Sequence, residues 1–269
     1  MDLKKNLQAH GISLKRSLGQ NFLLNKAIPA KIIKFCSLTT ADTVVDIGVG
    51  AGVLTELLAK KARKVIAYEI DKKLEPILFR LKKYDNLQLL FQDFLKANLS
   101  TLLIEGNLFF VANVPYYITS PIIEKIMFDS PTFKEALLMV QKEYAERLLA
   151  KPSTKSYGAL TVSISAFSRV TKLFDVSKKN FFPIPGVDSS VIKLEPLTSP
   201  KISYEERNKF RAFVRSSFAQ RRKKLKNNLK SLIPDVGKFL KEAGLSENIR
   251  AEELSPEMFI DLYHILKRW

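Results

Sequence analysis

From about residue 40 to residue 197 the chain alternates short apolar runs with helical patterns, and this alternation constrains its fold more than any other feature. TVVDIG, KVIAYEI, NLQLLFQD, LFFVANV and EALLMVQ each read as a buried strand. Between them, VLTELLAKKA and KLEPILFRLKK carry apolar residues at helical spacing. Strands and helices in alternation pack as a doubly wound α/β sheet, mostly parallel. TVSISAFSRVTKLFDV and VDSSVIKLEPL follow and read as β-rich. Only the turn-rich SKKNFFPIPG separates them, so an antiparallel pair is expected at the sheet edge. EPLTSP, residues 195 to 200, is polar and holds two prolines. After it the pattern is helical only: SYEERNKFRAFVRSSFAQ, RKKLKNNLKSL, DVGKFLKEAG and SPEMFIDLYHILKR. The expected division is an α/β domain over 1–198 and a small all-α domain over 199–269.

Composition narrows the partners. With 269 residues and 46% apolar content the chain can bury a sizeable core. Lys and Arg number 44 against 27 acids, a net charge of +17, which favours a polyanion partner, nucleic acid first. Cys36 is the only cysteine, so no disulfide framework or thiolate metal site is expected; it reads as a small buried hydrophobe in AIPAKIIKFCSL. His10 and His264, the only histidines, lie near the termini, which argues against a histidine triad or zinc site. No run approaches the length of a membrane span. MDLKKNLQAHG lacks the apolar core of a signal peptide, so a cytoplasmic protein is expected, without membrane attachment.

In an open α/β sheet, ligands bind beyond the carboxyl ends of the strands. The first strand ends in DIGVGAG, with Gly48, Gly50 and Gly52 ahead of a helix. Glycines there let a ligand approach the backbone at a helix N-terminus, though the same run also serves as a plain tight turn. Val53 stands where a dinucleotide fingerprint wants its third glycine, which argues against a nicotinamide cofactor. The second strand ends in YEID and places Glu69 about 20 residues past the loop, where a carboxylate accepts bonds from ribose hydroxyls. The third ends in QDF, putting Asp93 on the same rim as an acceptor for an adenine amino group. Either acid alone reads equally as a strand-end charge or a helix cap. Together with the loop they form an adenosine pocket. No Walker lysine and no third glycine provide phosphate contacts, so the expected ligand is S-adenosylmethionine, with S-adenosylhomocysteine as product.

The fourth strand runs into NVPYYITSP, residues 113 to 121. The exocyclic amine of adenine is a poor nucleophile because its lone pair is delocalised into the ring. Asn113 Oδ1 and the Pro115 carbonyl are placed to hold its hydrogens and pull the nitrogen toward tetrahedral geometry. Proline fixes that backbone. Tyr116 offers a ring for a flipped base to stack on, worth about 1–3 kcal/mol; the ring, not the hydroxyl, is expected to matter. The structural alternative is an N-x-P-Y turn.

An ordered series of motifs now spans the chain: SLGQNFL, DIGVGAGVLTELL, YEID, QDF, NVPYYITSP, QKEYAERLLAKPSTKSYGALTV, FFPIPGVDS, FAQRRKKLKNNL and AEELSP. In these the sequence resembles the rRNA adenine N6-dimethyltransferase family, of the KsgA type. The resemblance implies a Rossmann-like class I methyltransferase sheet. It implies that Asn21 and Leu23 contact the cofactor, with Gly48, Gly50, Glu69, Asp93 and Asn113 completing that site. Asn113, Pro115 and Tyr116 would handle the target amine, and Phe181 would stack on the base from the far side. Two positions depart from the family pattern, Val49 where proline is common and Gly186 where lysine is common. The implied reaction is transfer of two methyls to each of two adjacent adenines in a hairpin loop near the 3′ end of small-subunit (16S) rRNA.

Residues 207 to 230 hold ten Lys or Arg and no acid. Phe210, Phe213, Val214, Phe218, Leu225 and Leu229 take the apolar positions, leaving the charges on the opposite faces. Arg221, Arg222, Lys223, Lys224 and Lys226 are the expected RNA-binding cluster, with Lys4, Lys5, Lys15, Arg16, Lys26, Lys31 and Lys34 as a second basic surface. A solvated face is the plain alternative. The expected substrate is an assembling small ribosomal subunit, met by a monomer. The competing functions are an rRNA-binding assembly factor that does not need its catalysis and a resistance-type methylase acting on a large-subunit adenine. Intact NVPY, Glu69 and Asp93 speak against the first, and QRRKKLKNNL with AEELSP against the second.

Overall fold

The computed structural model describes residues 3–15, 18–102, 104 and 106–269. Its strands are β1 (Phe22–Leu23), β2 (Thr43–Ile47), β3 (Lys64–Glu69), β4 (Leu87–Phe91), β5 (Leu108–Asn113), β6 (Glu135–Gln141), β7 (Ser168–Val176), β8 (Phe181–Phe182) and β9 (Ser189–Pro196). Seven of them form one sheet in the order β4-β3-β2-β5-β6-β9-β7. From β4 to β6 all pairings are parallel, and β9 then runs antiparallel to β6 with β7 outermost. The two segments expected to pair at the sheet edge are therefore neighbours there, β9 lying between the parallel set and β7. β1 and β8 pair antiparallel as a separate ribbon, Leu23 opposite Phe181.

Burial explains why the central runs lack alternation. β2 is buried at every residue and β5 at all but Asn113, because helices cover both faces of a parallel sheet. Thr119–Phe128 is one such helix and buries Ile122, Ile123, Ile126, Met127 and Phe128. Each of these side chains contributes roughly 1.5–3 kcal/mol on leaving water. Phe110 meets Phe94 and Phe133 edge-on, at centroid distances of 6.5 and 5.6 Å. Cys36 is buried, and burial pushes its thiol up to about 11, so it stays protonated.

Two local expectations change. KLEPILFRLKK is a short helix, Glu75–Leu78, between 3₁₀ turns at Lys72–Leu74 and Phe79–Lys83. Its apolar period survives, with Leu74, Ile77, Leu78 and Leu81 all buried. TVSIS, expected as strand, lies within the helix Ala159–Ser165. Thr161 Oγ1 donates to the Arg147 carbonyl at 2.7 Å and Ser165 Oγ to the Thr161 carbonyl at 2.8 Å. Packing of Val162 and Ile164 and these local bonds override the β-propensity of the run.

The chain divides into two compact units. One comprises the residues up to Ala145 together with Thr171–Pro196; the other comprises Glu146–Val170 and Leu197–Trp269. The second unit thus includes a segment from before the proline-rich boundary as well as the helical run after it. Its helices Arg207–Ser217, Leu225–Leu229, Val236–Glu242 and Pro256–Leu266 close on an aromatic core. Phe210 meets Tyr263 edge-on at 5.4 Å and Phe218 stacks on Phe259 at 5.5 Å. Ser255 caps the last helix by accepting from the Met258 N–H at 3.3 Å, with Pro256 in its first turn.

Candidate active site

An open cleft of about 750 Å³, including solvent at its mouth, lies at the carboxyl ends of β2 to β5. Each strand delivers its last residues there: Ile47 and the glycine loop, Glu69, Asp93 and Asn113. The N-terminal segment Leu18–Phe22 forms another part of the wall. That segment is fastened through Asp71, which accepts from Gln20 Nε2 at 2.8 Å and from Lys15 Nζ at 3.4 Å. Burial alone would raise the Asp71 carboxyl, but bonds from Gln20, the Lys73 amide and Lys15 outweigh it and hold it below its ordinary value.

The glycine loop is built around Glu69. Gly50 has φ of +56°, and a Cβ there would lie 2.9 Å from Cδ1 of Phe22. Its N–H donates to Glu69 Oε2 at 2.8 Å, while the Asp71 N–H donates to Oε1 at 2.9 Å. Each carboxylate oxygen keeps a lone pair for a ligand hydroxyl. Burial raises the Glu69 carboxyl, opposed by these amides. Asp93 spends Oδ1 on the Leu95 N–H at 2.9 Å, capping the turn Phe94–Lys96, and keeps Oδ2 available.

Asn113 is oriented by its amide. Nδ2 donates to the Asn21 carbonyl at 3.2 Å, so Oδ1 is left as an acceptor. Pro115 corrects the sequence expectation. Its carbonyl already accepts from the Ile118 N–H at 3.2 Å and more distantly from Thr119 Oγ1 at 3.4 Å, because the chain enters a 3₁₀ turn there. Val114, also in the cleft wall, gives its N–H to the Met139 carbonyl at 3.0 Å. No donor reaches the buried Val114 carbonyl among the described residues. An orphaned buried carbonyl is costly, and an arriving N–H would satisfy it.

Tyr116 lines the cleft, and its hydroxyl is not idle: it shares a 2.6 Å hydrogen bond with Ser189 Oγ, which is fully buried on β9. Burial raises the Tyr116 hydroxyl, so it remains neutral. The expectation that only its ring matters is revised accordingly.

Two expected residues do not reach the cleft. Phe181 is 1% exposed and packs in the core, because β8 pairs with β1 and turns that ring inward. Leu23, its partner in that ribbon, lines a neighbouring cavity with Ala51 and Val53. Four residues in or beneath the cleft escaped the sequence expectations. Tyr117 and Ile70 are about half exposed in its wall, Tyr117 in the NVPYYITSP stretch and Ile70 in YEID, and neither had been given a role. Gln20 fastens the N-terminal segment. Asp46 is buried in β2, accepts from Thr55 Oγ1 at 2.6 Å and leaves Oδ1 unpartnered. Burial, with the nearby Glu69 carboxylate adding to it, pushes the Asp46 carboxyl up to about 7. A lone carboxylate inside TVVDI was the available signal.

The basic cluster divides in two. Arg221 is exposed but bonded within the protein, its Nε donating to Glu252 Oε2 at 2.7 Å and its terminal nitrogens to the Thr154 and Lys155 carbonyls. Lys224 donates to Asn248 Oδ1 at 2.6 Å and Lys226 pairs with Glu247 at 2.9 Å. Arg222 and Lys223 are exposed and make no side-chain bond among the described residues. Of the N-terminal basic group, Arg16 and the Lys4 side chain lie outside the described residues. Lys15 is committed to Asp71, and Lys31 sits over the Phe174 ring at 4.0 Å. Lys5, Lys26 and Lys34 are exposed.

Comparison with known proteins supplies independent findings. The family model for ribosomal RNA adenine dimethylase matches residues 11–268. The ribosomal RNA small subunit methyltransferase A of Thermotoga petrophila is 47% identical over 263 residues, covering 97% of this chain and 95% of that protein. Its namesake from Geobacillus thermodenitrificans is 40% identical over 276 residues, covering 98% and 94%. Among solved structures, a dimethyladenosine transferase from Plasmodium falciparum superposes with a TM-score of 0.76 at 29% identity, covering 92% of this chain and 98% of that one. The 23S rRNA methyltransferase ErmE gives 0.69 at 27%, covering 91% and 99%. The sheet is the Rossmann-like sheet of class I methyltransferases, followed by a helical part.

Proposed function

This chain belongs to the ribosomal RNA adenine dimethylase family, and from that premise we propose that it transfers two methyl groups to N6 of each of two adjacent adenines in a hairpin loop near the 3′ end of 16S rRNA. The carrying observation is the pair of acceptors at the end of β5. Asn113 Oδ1 is freed by the bond from its own amide to the N-terminal segment, and the carbonyl of the next residue, Val114, meets no donor among the described residues.

The residues fit S-adenosylmethionine. The positive φ at Gly50 and its crowding against Phe22 leave no room for a side chain in the loop, and Glu69 offers lone pairs where ribose hydroxyls would reach. Asp93 Oδ2 suits an adenine amino group, and Ile70 an apolar ring face. When bound, the cofactor supplies an electrophilic methyl and leaves as S-adenosylhomocysteine.

Asn113 Oδ1 and the Val114 carbonyl hold the hydrogens of the target amine and favour the tetrahedral nitrogen, whose lone pair is then available. This contact strengthens as the transition state forms. Tyr116 and Tyr117 present rings on which the flipped base stacks. Pro115 fixes the backbone between them. No histidine lines the cleft among the described residues; the methylated nitrogen is acidic enough to lose its proton to water.

The small-subunit target is supported by the names of the relatives at 39–47% identity. The substrate is an assembling small subunit, the protein acts as a monomer in the cytoplasm, and the helical unit supplies phosphate contacts. Among the described residues, no helix is long and apolar enough to cross a membrane. The test is incubation with labelled S-adenosylmethionine and small subunits lacking the modification, followed by mass spectrometry of the rRNA. Dimethyladenosine is expected. Asn113→Ala should lower the single-turnover rate at least 100-fold, as for loss of a transition-state contact of about 3 kcal/mol, with RNA binding near normal. A near-normal rate in that variant removes Asn113 from the chemistry.

A further inference from the structure

Arg80 belongs to no motif that the reaction uses, yet its guanidinium reaches the glycine loop. It stands in the 3₁₀ turn Phe79–Lys83 and lines the neighbouring cavity with Ile77, Ala51 and Val53 rather than the cleft. Nη2 donates to the Ala51 carbonyl at 2.8 Å, and no backbone N–H reaches that carbonyl among the described residues. Glu56 Oε2 lies 4.0 Å from the same nitrogen. Burial alone would raise the Glu56 carboxyl, but the Tyr84 hydroxyl, Arg80 and Lys60 outweigh it and hold it below its ordinary value. Arg80 thus ties the loop to the first turn of the helix Val53–Ala59, where Glu56 stands.

The point of attachment decides what Arg80 can do. The Gly52 N–H donates to the Val49 carbonyl at 2.8 Å, closing a turn whose two central residues are Gly50 and Ala51. Each is held by one side chain. Glu69 takes the Gly50 N–H at 2.8 Å, and Arg80 gives to the Ala51 carbonyl. The peptide joining Gly50 to Ala51 is therefore bracketed on both sides. Glycine at φ of +56° lets such a peptide rotate at little cost when nothing holds it. The helix that follows starts at Gly52 with no side-chain cap bond among the described residues, which leaves the two central residues to Glu69 and Arg80. Nη1 adds a second observation. It is buried, meets no acceptor among the described residues, and lies 3.3 Å from where a Cβ on Gly52 would stand. A buried donor left unpaired works against stability. An arginine here is accounted for by what Nη2 holds, not by its own burial.

We propose that Arg80 is a positioning residue for the cofactor: by holding the Ala51 carbonyl it keeps the Gly50 N–H on Glu69, and so keeps the Glu69 carboxylate set for the ribose hydroxyls. It lies outside the cleft wall and acts only through the loop. Without that hold the turn spends part of its time in arrangements that release Glu69, and the observed dissociation constant rises as the competent fraction falls. The Asp71 N–H still holds Glu69 Oε1, so the loss is partial.

The inference rests on the reading that the cleft binds S-adenosylmethionine, and calorimetry on the full chain separates the two. If the unaltered protein binds neither S-adenosylmethionine nor S-adenosylhomocysteine, that reading fails and this one with it. If it binds, Arg80→Met, which keeps the apolar stem and removes every donor, should weaken both ligands about tenfold, as expected where the competent loop falls to roughly a tenth. The Arg80 side chain is 37% exposed, so folding is not at stake. The two ligands share every group that the loop and Glu69 hold and differ by the methyl and its positive charge. Equal weakening therefore marks a positional effect; a gain for S-adenosylmethionine alone marks relief of charge repulsion and overturns the proposal. In the cofactor-free protein, amide hydrogen exchange at Gly50 should speed up on the order of tenfold in Arg80→Met, because its bond to Glu69 opens more often. Unchanged exchange or unchanged affinity overturns the positioning role and leaves the cofactor reading standing. Arg80→Lys keeps a long donor and should fall between the two proteins in affinity; a lysine variant weaker than Arg80→Met overturns the role of the donated bond.

Discussion

Tyr116→Phe isolates one oxygen atom whose role the sequence misjudges. In the sequence the ring is what a flipped base needs, and the hydroxyl is dispensable. In the structure that hydroxyl and Ser189 Oγ share a 2.6 Å bond between the turn after β5 and the start of β9. Ser189 is fully buried, so removing its partner leaves a hydroxyl with neither water nor protein to bond. Such a group costs about 1–3 kcal/mol, whereas removing both partners together is nearly neutral. Tyr116→Phe should therefore lower the unfolding free energy by about 1–2 kcal/mol. Tyr116→Phe/Ser189→Ala should recover most of that loss, giving a coupling of about 1 kcal/mol in the double-mutant cycle. The methylation rate should fall about tenfold or less, because the ring remains but loses its tether; Tyr116→Ala should fall much further, losing the stacking as well. Urea unfolding of the three variants, paired with single-turnover methylation, checks both parts. Wild-type stability in Tyr116→Phe, or no recovery in the double variant, refutes the tether.

Gly50→Ala forces a side chain into the 2.9 Å gap to Phe22 at a positive φ, so the loop must shift and its bond to Glu69 must lengthen. Calorimetry should show cofactor affinity reduced at least tenfold, consistent with about 1–2 kcal/mol for the backbone strain alone; unchanged affinity contradicts the cradle. Asp46 concerns pH. Its folded carboxyl is raised from 3.8 to about 7, so the folded state keeps a proton that the unfolded chain releases. Its contribution to stability is present below about pH 4 and is lost as pH rises toward about 7, with a slope of up to about 1.4 kcal/mol per pH unit. Asp46→Asn should remove that slope in urea unfolding between pH 4 and pH 7, and a difference between variant and wild type that is flat with pH counts against the buried proton.

The sheet was legible in the sequence because its signals are local. Five apolar runs became five strands, and the residues that end them, Glu69, Asp93 and Asn113, reached one cleft because parallel strands share a carboxyl edge. The glycine loop was legible too, since only glycine tolerates the backbone that Gly50 adopts. What was not legible has a different cause. TVSIS became helix, Phe181 packs in the core, Arg221 is bonded within the protein, and the Pro115 carbonyl is taken up by a turn while that of Val114 meets no donor among the described residues. In each case the deciding partner is absent from the local motif or its use there is set by geometry: Arg147 for Thr161, Leu23 for Phe181, Glu252 for Arg221, and Met139 with Ile118 for the Val114–Pro115 backbone. Periodicity and motif spacing report which residues share an element. Which polar atom is already bonded, and which is left for a ligand, depends on groups up to 158 positions apart, as with Leu23 and Phe181, and only packing of the chain brings those groups within hydrogen-bonding or van der Waals reach.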